Sequence, residues 1–312
     1  MASLPRVSIV TPSFNQAAFL EETIQSVLGQ DYPDLEYMVI DGGSTDGSLE
    51  IIEKYAERLA YWVSEKDNGQ ADAINKGLAR TSGEIVAWLN SDDTYLPGAI
   101  QAAVAALQAC PECGLVYGDV LAVDGQGKPQ NLIRYGDWGL DGLLQFRIIG
   151  QPAVFMRRSI LAQAGELDTR FDYLLDHHLW LRIAKLAPIQ YVPQTWATAR
   201  FHEASKNVAL AERFCTDADA VLAWVQSQPE LAQRYARLGK QAQAGLALFK
   251  AYYLSTGQLA WPALREYGRA FLAVPGMALR EWRRILWTMA TLLGLDRIQG
   301  LARYLKRGKA VE

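Results

Sequence analysis

The sequence predicts an α/β fold, a parallel sheet wrapped by helices, continued by a helical C-terminal region. Three observations carry that reading. Short apolar runs alternate with stretches of helical spacing from Val7 to about Gln108. The runs are continuously apolar rather than alternating, as strands covered on both faces are. From about Asn207 onward Ala, Gln and Leu dominate and glycine is sparse, which favours consecutive helices.

The elements follow in order. Val7-Ser-Ile-Val-Thr11 reads as a buried strand closing on Pro12. Phe19, Leu20, Ile24, Val27 and Leu28 mark the inner face of a helix, with Glu21 and Glu22 in its first turns. Leu35–Ile40 is a second strand and Ser48–Leu59 a second helix. Leu59–Ser64 gives a third strand, Ala71–Ala79 a helix and Glu84–Leu89 a fourth strand. A helix over Pro97–Gln108, strands over Leu115–Leu121 and Ala153–Met156, and a helix over Asp176–Leu186 complete the body. Gly125-Gln-Gly127 reads as a turn. The domain boundary falls at the change of composition, giving a body over 1–209 and a helical region over 210–312.

With 50% hydrophobic and 21% charged residues and a net charge of −3, the composition is that of an ordinary globular protein, without the basic bulk of a nucleic-acid binder. The charge is unevenly spread. Residues 276–312 hold eight basic and three acidic side chains, net +5, which leaves the first 275 residues at −8. The N-terminal residues lack a charged stretch followed by an apolar one, so no signal peptide is read. The longest apolar run, near Ile285–Leu295, is too short to span a bilayer. The cysteines are Cys110, Cys113 and Cys215, a small odd number that suits a reducing compartment. Cys110-Pro-Glu-Cys113 has no second pair or nearby histidine to make a zinc site, and reads as a surface turn after a helix.

Chemistry concentrates at the ends of the first four strands. Thr11-Pro12-Ser13-Phe14-Asn15 follows the first, Asp41-Gly42-Gly43-Ser44-Thr45-Asp46-Gly47 the second, Asp67-Asn68-Gly69-Gln70-Ala71-Asp72 the third, and Asn90-Ser91-Asp92-Asp93 the fourth. Open α/β sheets bind ligands in the crevice at these ends, and this polar edge is nucleotide-sized. The adjacent carboxylates Asp92 and Asp93 suit a hard divalent cation carrying a diphosphate, or else they belong to a turn that caps the next helix.

Four motifs, Val10-Thr11-Pro12-Ser13-Phe14-Asn15, Asp41-Gly42-Gly43-Ser44-Thr45-Asp46-Gly47, Asp72-Ala73-Ile74-Asn75-Lys76-Gly77 and Asn90-Ser91-Asp92-Asp93, resemble in order and spacing those of family 2 inverting glycosyltransferases. The resemblance covers roughly residues 5 to 206. It implies a GT-A fold, Rossmann-like, with a mixed, mainly parallel sheet flanked by helices. It also implies a sugar nucleotide donor, UDP-linked by expectation, and a glycan or lipid-linked acceptor hydroxyl in bacterial surface polysaccharide synthesis. On that basis Thr11, Pro12, Ser13 and Asn15 line the base and ribose pocket. Asp41 accepts from a base N–H, and its local alternative is an Asx-turn into Gly42-Gly43. Asp67, Gly69 and Asp72 border the nucleotide and sugar, or instead cap the following helix. Asn90, Ser91 and Asp92 complete the donor site, and Asp93 binds Mn²⁺ or Mg²⁺, with Asp92 and His202 as further ligands. Lys206 meets a phosphate.

The resemblance makes Asp176 the catalytic base, against the alternative of a helix cap. Relatives often carry a second acidic residue where His178 stands, which leaves the roles of His177 and His178 open. Gln151, His177 and Trp180 are candidates for the acceptor or sugar pocket, with Trp180 equally readable as core. A nucleotidyltransferase is disfavoured because the loop after the first strand, Pro12-Ser-Phe-Asn-Gln16, lacks the glycines and basic residues that grip a triphosphate. A non-catalytic sugar-nucleotide or glycan binder is disfavoured by the retained Asp93 and Asp176.

Near the C-terminus Leu279, Trp282, Ile285, Leu286, Met289 and Leu293 recur at helical spacing among Arg280, Arg283 and Arg284. This pattern fits a helix lying in a membrane interface, or one packed on protein with a solvated basic face. The expected location is cytoplasmic, with peripheral contact at the inner face of the membrane.

Overall fold

The computed structural model describes residues 4–202 and 211–295. The expected boundary at 209/210 and Lys206 lie outside the described residues. The chain divides into two compact units: residues 1–140 with 149–200, and residues 141–148 with 201–312.

The first unit is built on a nine-stranded mixed sheet, ordered β3-β2-β1-β4-β8-β6-β9-β5, with β7 paired to β6. Its strands are β1 (Val7–Ser13), β2 (Leu35–Asp41), β3 (Tyr61–Ser64), β4 (Ile85–Trp88), β5 (Thr94–Tyr95), β6 (Leu115–Asp124), β7 (Pro129–Ile133), β8 (Val154–Arg157) and β9 (Ile189–Phe201). The first four run parallel, and β4–β8, β6–β8, β6–β7 and β5–β9 are antiparallel. Parallel neighbours need crossovers, supplied by α1 (Ala17–Leu28), α2 (Ser48–Tyr55) and α3 (Gln70–Leu78). Further helices are α4 (Ala99–Ala109), α6 (Arg158–Ala164) and α7 (Leu175–Leu186), while α5 (Gly139–Leu144) crosses the division between the units.

Both faces of the central strands are covered, which explains their unbroken apolar sequence. Val7 and Ile9 of β1 pack with Leu20, Ile24 and Val27 of α1 and with Ile52 of α2 in one cluster. Val10 faces the other way, where a Cβ on Gly77 of α3 would lie 2.3 Å from its methyl group. The first turn of α1 is satisfied from another loop. Asp46 Oδ2 accepts the Ala17 N–H at 2.9 Å, and Ser48 Oγ accepts that of Gln16 at 3.2 Å. Folding of α1 therefore fixes the loop after β2 as well.

Two parts of this unit differ from the sequence reading. β5, β7 and β9 are strands that apolar runs did not mark; β7 is exposed or half-buried throughout, and β9 alternates polar with apolar residues. Cys110 and Cys113 are joined by a disulfide in the turn after α4, where a simple surface turn was expected. The turn's hydrogen bond from Cys113 N–H to the Cys110 carbonyl (3.0 Å) brings the two side chains together, and Cys113 is buried.

The second unit is helical: the 141–148 segment, then α8 (Ala211–Ser227), α9 (Pro229–Leu238), α10 (Lys240–Thr256), α11 (Ala260–Ala273), α12 (Pro275–Leu279) and α13 (Trp282–Leu292). Small residues set its spacing. Ala244, Ala247, Ala270 and Ala278 share one cluster, and Ala251, Leu254, Ala263 and Tyr267 another, so α10 and α11 approach closely. No described helix is long and apolar enough to cross a membrane.

Candidate active site

The parallel strands end in register. Ser13 of β1 pairs with Asp41 of β2, and Asp41 with Ser64 of β3. The N–H of Leu89, just past β4, bonds the Val10 carbonyl at 2.9 Å. One edge of the sheet therefore receives the four polar loops, as the sequence predicts.

Much of the polarity there is spent on building the loops. Asp41 is 1% exposed; its Oδ2 accepts from Gly43 N–H (3.0 Å), Ser44 N–H (2.8 Å) and Ser64 Oγ–H (2.7 Å), and its Oδ1 from Ser44 Oγ–H (2.5 Å). The Asx-turn is thus formed, and Oδ1 keeps one acceptor position. Asn15, with φ of +52°, accepts from Thr45 N–H (2.9 Å) and donates its own N–H to Ser44 Oγ (2.8 Å). Asp67 accepts from Gly69 N–H (2.8 Å). Asp72 accepts from Asn68 N–H (2.9 Å), which, with Lys76 one turn along, holds its carboxyl below the usual carboxylate range. Gly69 has φ of +105°, which a side chain would strain. Thr11 is fully buried and its Oγ1 accepts from the Tyr37 hydroxyl at 3.0 Å, so its side chain belongs to the core rather than to a pocket wall. Pro12 and Ser13 are buried as well, and the Ser13 hydroxyl has no partner among the described residues.

Phe14, between Ser13 and Asn15, is 59% exposed. A Cβ on Gly42 would meet Asp67 Oδ2 at 2.5 Å and the Phe14 ring at 3.2 Å. Glycine at 42 is therefore what lets these two side chains close over the end of β2. In the sequence, the signal for Phe14 is a large aromatic side chain set in a polar strand-end loop.

Asp93 is buried, and burial together with the adjacent Asp92 charge pushes its carboxyl well above the usual range. Its Oδ1 accepts the Arg200 backbone N–H (3.0 Å), and its Oδ2 lies 3.4 Å from Asn90 Nδ2. The Asp93 carbonyl accepts from Thr23 of α1 (2.8 Å), and Gln70 of α3 donates to Asn90 Oδ1 (2.7 Å). Arg200 clamps the turn. Its Nε donates to the Asp92 carbonyl (3.0 Å), Nη2 pairs with Glu22 (2.6 Å), and its guanidinium lies over Phe19. Sequence reasoning missed Arg200, although it stands in the Arg200-Phe201-His202 string singled out for its histidine.

Among the described residues no three His, Cys, Asp or Glu side chains are placed to hold a metal. The chemistry left at the turn is one buried carboxylate beside a second, half-buried one. That donor set does fit a magnesium-like ion, which takes one or two carboxylates and completes its shell with substrate phosphates and water.

Asp176 sits in the first turn of α7, half-buried, and accepts the His177 N–H at 2.7 Å. Burial pushes its pKa up to about 6. One turn along, Trp180 stacks on Trp88 of β4 with ring centroids 5.2 Å apart, which ties the Asp176 helix to the strand leading into Asp92 and Asp93. Trp180 is 1% exposed, and His177 and His178 are equally buried. Trp180, stacked on Trp88, and His177 are packed into the core. His178 packs on Phe171, and burial pushes its pKa down to about 3. Gln151 donates to the Trp88 carbonyl (2.7 Å), while its buried Oε1 has no partner among the described residues.

The sequence pattern of glycosyl transferase family 2 matches residues 8–161. An uncharacterized glycosyltransferase of Mycobacterium tuberculosis is 32% identical over 201 residues, covering 59% of this chain and 71% of that protein. The chain belongs to glycosyl transferase family 2. The O-antigen biosynthesis protein RfbC of Myxococcus xanthus is 31% identical over 245 residues, 77% of this chain but 19% of RfbC. Two rickettsial glycosyltransferases are likewise matched over only 36 and 37% of their length, so the chain spans little more than a third of these relatives. Among solved structures, Staphylococcus aureus TarS (residues 1–349) superposes with a TM-score of 0.63 at 18% identity, over 98% of this chain and 93% of that one. Mannosyltransferase PcManGT of Pyrobaculum calidifontis, in complex with GDP-Man and Mn²⁺, superposes with 0.61 at 22% identity, over 95 and 88%. These two likenesses establish the GT-A fold for the family 2 chain, with a helical C-terminal part present.

Proposed function

We propose that this chain transfers a sugar from a nucleoside diphosphate, UDP-linked in the first instance, to a hydroxyl of a glycan or lipid-linked acceptor, with inversion at the anomeric carbon. One observation carries the reading. Asp176, a carboxyl lifted towards neutral pH, stands on the helix that stacks against the strand delivering Asp92 and Asp93. A base near neutrality at one end and a pair of carboxylates fit for a diphosphate-bound cation at the other are the two demands of inverting transfer.

The residues divide the work. The exposed Phe14 ring offers a stacking face for the base, and the free acceptor position of Asp41 Oδ1 suits a base N–H. The loop held by Asn15 borders the ribose. Asp93, with Asp92 beside it, would hold Mn²⁺ or Mg²⁺, which when bound neutralises charge on the departing diphosphate. Arg200 fixes the Asp92–Asp93 turn through the Asp92 carbonyl, and its backbone N–H holds the Asp93 carboxylate. On the opposite face of the sugar, Asp176 takes the acceptor proton as the hydroxyl oxygen bonds to the anomeric carbon. The bond to the diphosphate breaks, and its electron pair leaves with the nucleotide. The UDP-GlcNAc complex of TarS and the GDP-Man complex of PcManGT support the donor class, and RfbC, an O-antigen biosynthesis protein, supports a surface-polysaccharide setting.

Calorimetric titration with UDP, GDP, dTDP and CMP, each with and without Mn²⁺, tests the donor site. Metal-dependent binding of one diphosphate is expected, and its loss in Asp93→Asn assigns the metal to that carboxylate. Folded protein that binds none of the four contradicts the reading.

A further inference from the structure

The last described helix is turned inside out. In water a surface helix buries its large apolar side chains and exposes its polar ones. α13 does the reverse. Trp282, Leu286 and Met289, with Leu293 at its C-terminal cap, follow the i, i+4, i+7, i+11 spacing of one stripe and are 44 to 71% exposed. The side facing protein holds Thr288, 1% exposed and hydrogen-bonded to Ser255 of α10 at 2.7 Å, and Ala290. Ile285 packs partly against the cluster of α10 and α11. Leu279, just before the helix, and Leu292 add to the exposed apolar surface. Such contiguous exposure marks a binding face.

Arginine accompanies the stripe. Arg280 is exposed, and Arg283 lies over the Trp282 ring, its guanidinium carbon 5.3 Å from the centroid. Beyond the described residues the sequence adds Arg297, Arg303, Lys306, Arg307 and Lys309 against Asp296 and Glu312. Eleven helical residues extend roughly 16 Å, about half a bilayer core, so the stripe suits lying in the interface and not crossing it.

We propose that this stripe docks the protein on an anionic lipid surface, with Trp282, Leu286, Met289 and Leu293 entering the acyl boundary and the arginines meeting lipid phosphates. Apolar stripe and basic flank together match that partner. A second copy is the poorer occupant, because an apolar stripe of this kind on another copy offers no anionic counterpart for the basic flank. The surface is independent of the transfer chemistry.

Vesicle flotation of the full chain tests it, using phosphatidylcholine with and without phosphatidylglycerol at low and high salt. Binding to the anionic vesicles at low salt is expected, with a blue shift of tryptophan emission. Leu286→Gln/Met289→Gln should weaken it by about tenfold or more, and Arg280→Gln and Arg283→Gln by about fivefold each. Circular dichroism checks folding; should the double variant fail to fold, Leu293→Gln at the cap replaces it. The proposal is overturned if the chain stays unbound to both vesicles, or if the stripe variants bind as well as the parent. Sedimentation that reveals a dimer which the double variant dissolves, without vesicle binding, would assign the stripe to a second copy instead.

Discussion

The edge formed by β1–β4 and the surface of α13 treat polarity in opposite ways. At the edge, carboxylates and hydroxyls are buried and mostly bonded: Asp41 takes three hydrogen bonds from its own loop and a fourth from Ser64 of β3, and the Asp93 turn is held by Thr23, Asn90 and Arg200. Along α13, large apolar groups stand in water while a threonine is buried. Each is costly alone, since buried charge loses hydration and exposed apolar area is not removed from water. Where a fold sustains such a cost, a missing partner is the economical explanation. The edge is shaped for something charged and polar, the helix for something apolar with a negative rim.

Substitutions can break this contrast at graded strength. The largest effect is expected from Asp176→Asn, which removes the base and should lower kcat by about 10²- to 10⁴-fold with donor affinity kept; unchanged turnover would remove Asp176 from the mechanism. The same change should raise stability above pH 6. The folded carboxyl has a pKa of about 6, above its unfolded value, so ionising it destabilises the fold as pH rises between the two values. A Tm gain at pH 7.5 that vanishes near pH 4 checks the sign. Arg200→Leu should come next. It leaves the Asp92 carbonyl and Glu22 without their partner, at about 2–3 kcal/mol in urea denaturation, and should weaken metal-dependent donor binding.

A gentler probe is pH itself. kcat/KM should fall about tenfold per unit below pH 6 as Asp176 takes up its proton, and a flat profile across that range would contradict an unprotonated base. Gly42→Ala should displace Asp67 and Phe14 and raise the donor Kd by about three- to tenfold, measured by calorimetry. The smallest effect sharpens the comparison: Leu286→Gln, fully on the exposed stripe, should change unfolding free energy by less than about 0.5 kcal/mol, whereas Ile24→Ala in the core should cost about 2–5 kcal/mol. A large loss at Leu286 would mean that the stripe is already covered.

Much of the catalytic unit was legible from residues alone. The four parallel strands and their crossover helices stand where unbroken apolar runs and helical spacing placed them, because both signals report burial on two faces or on one stripe. β7 and β9 were missed because edge or half-buried strands carry no such run. The polar loops at the strand ends were found as a set, but their division of labour was not. Thr11 and Trp180 sit in motifs that suggest a pocket, yet each side chain turns into the core.

By itself, then, the sequence determined the α/β order, the family, and the identity of the acidic residues at the strand ends, since these follow from local spacing and residue chemistry. Tertiary structure alone decided that Arg200 grips a turn 107 residues away from it, counted to Asp93, and that Asp176 shares a stacked pair of tryptophans with β4. It also decided which side of α13 faces outward. Periodicity shows that a helix has an apolar stripe; only packing determines whether that stripe is buried, because burial depends on what the rest of the chain brings against it.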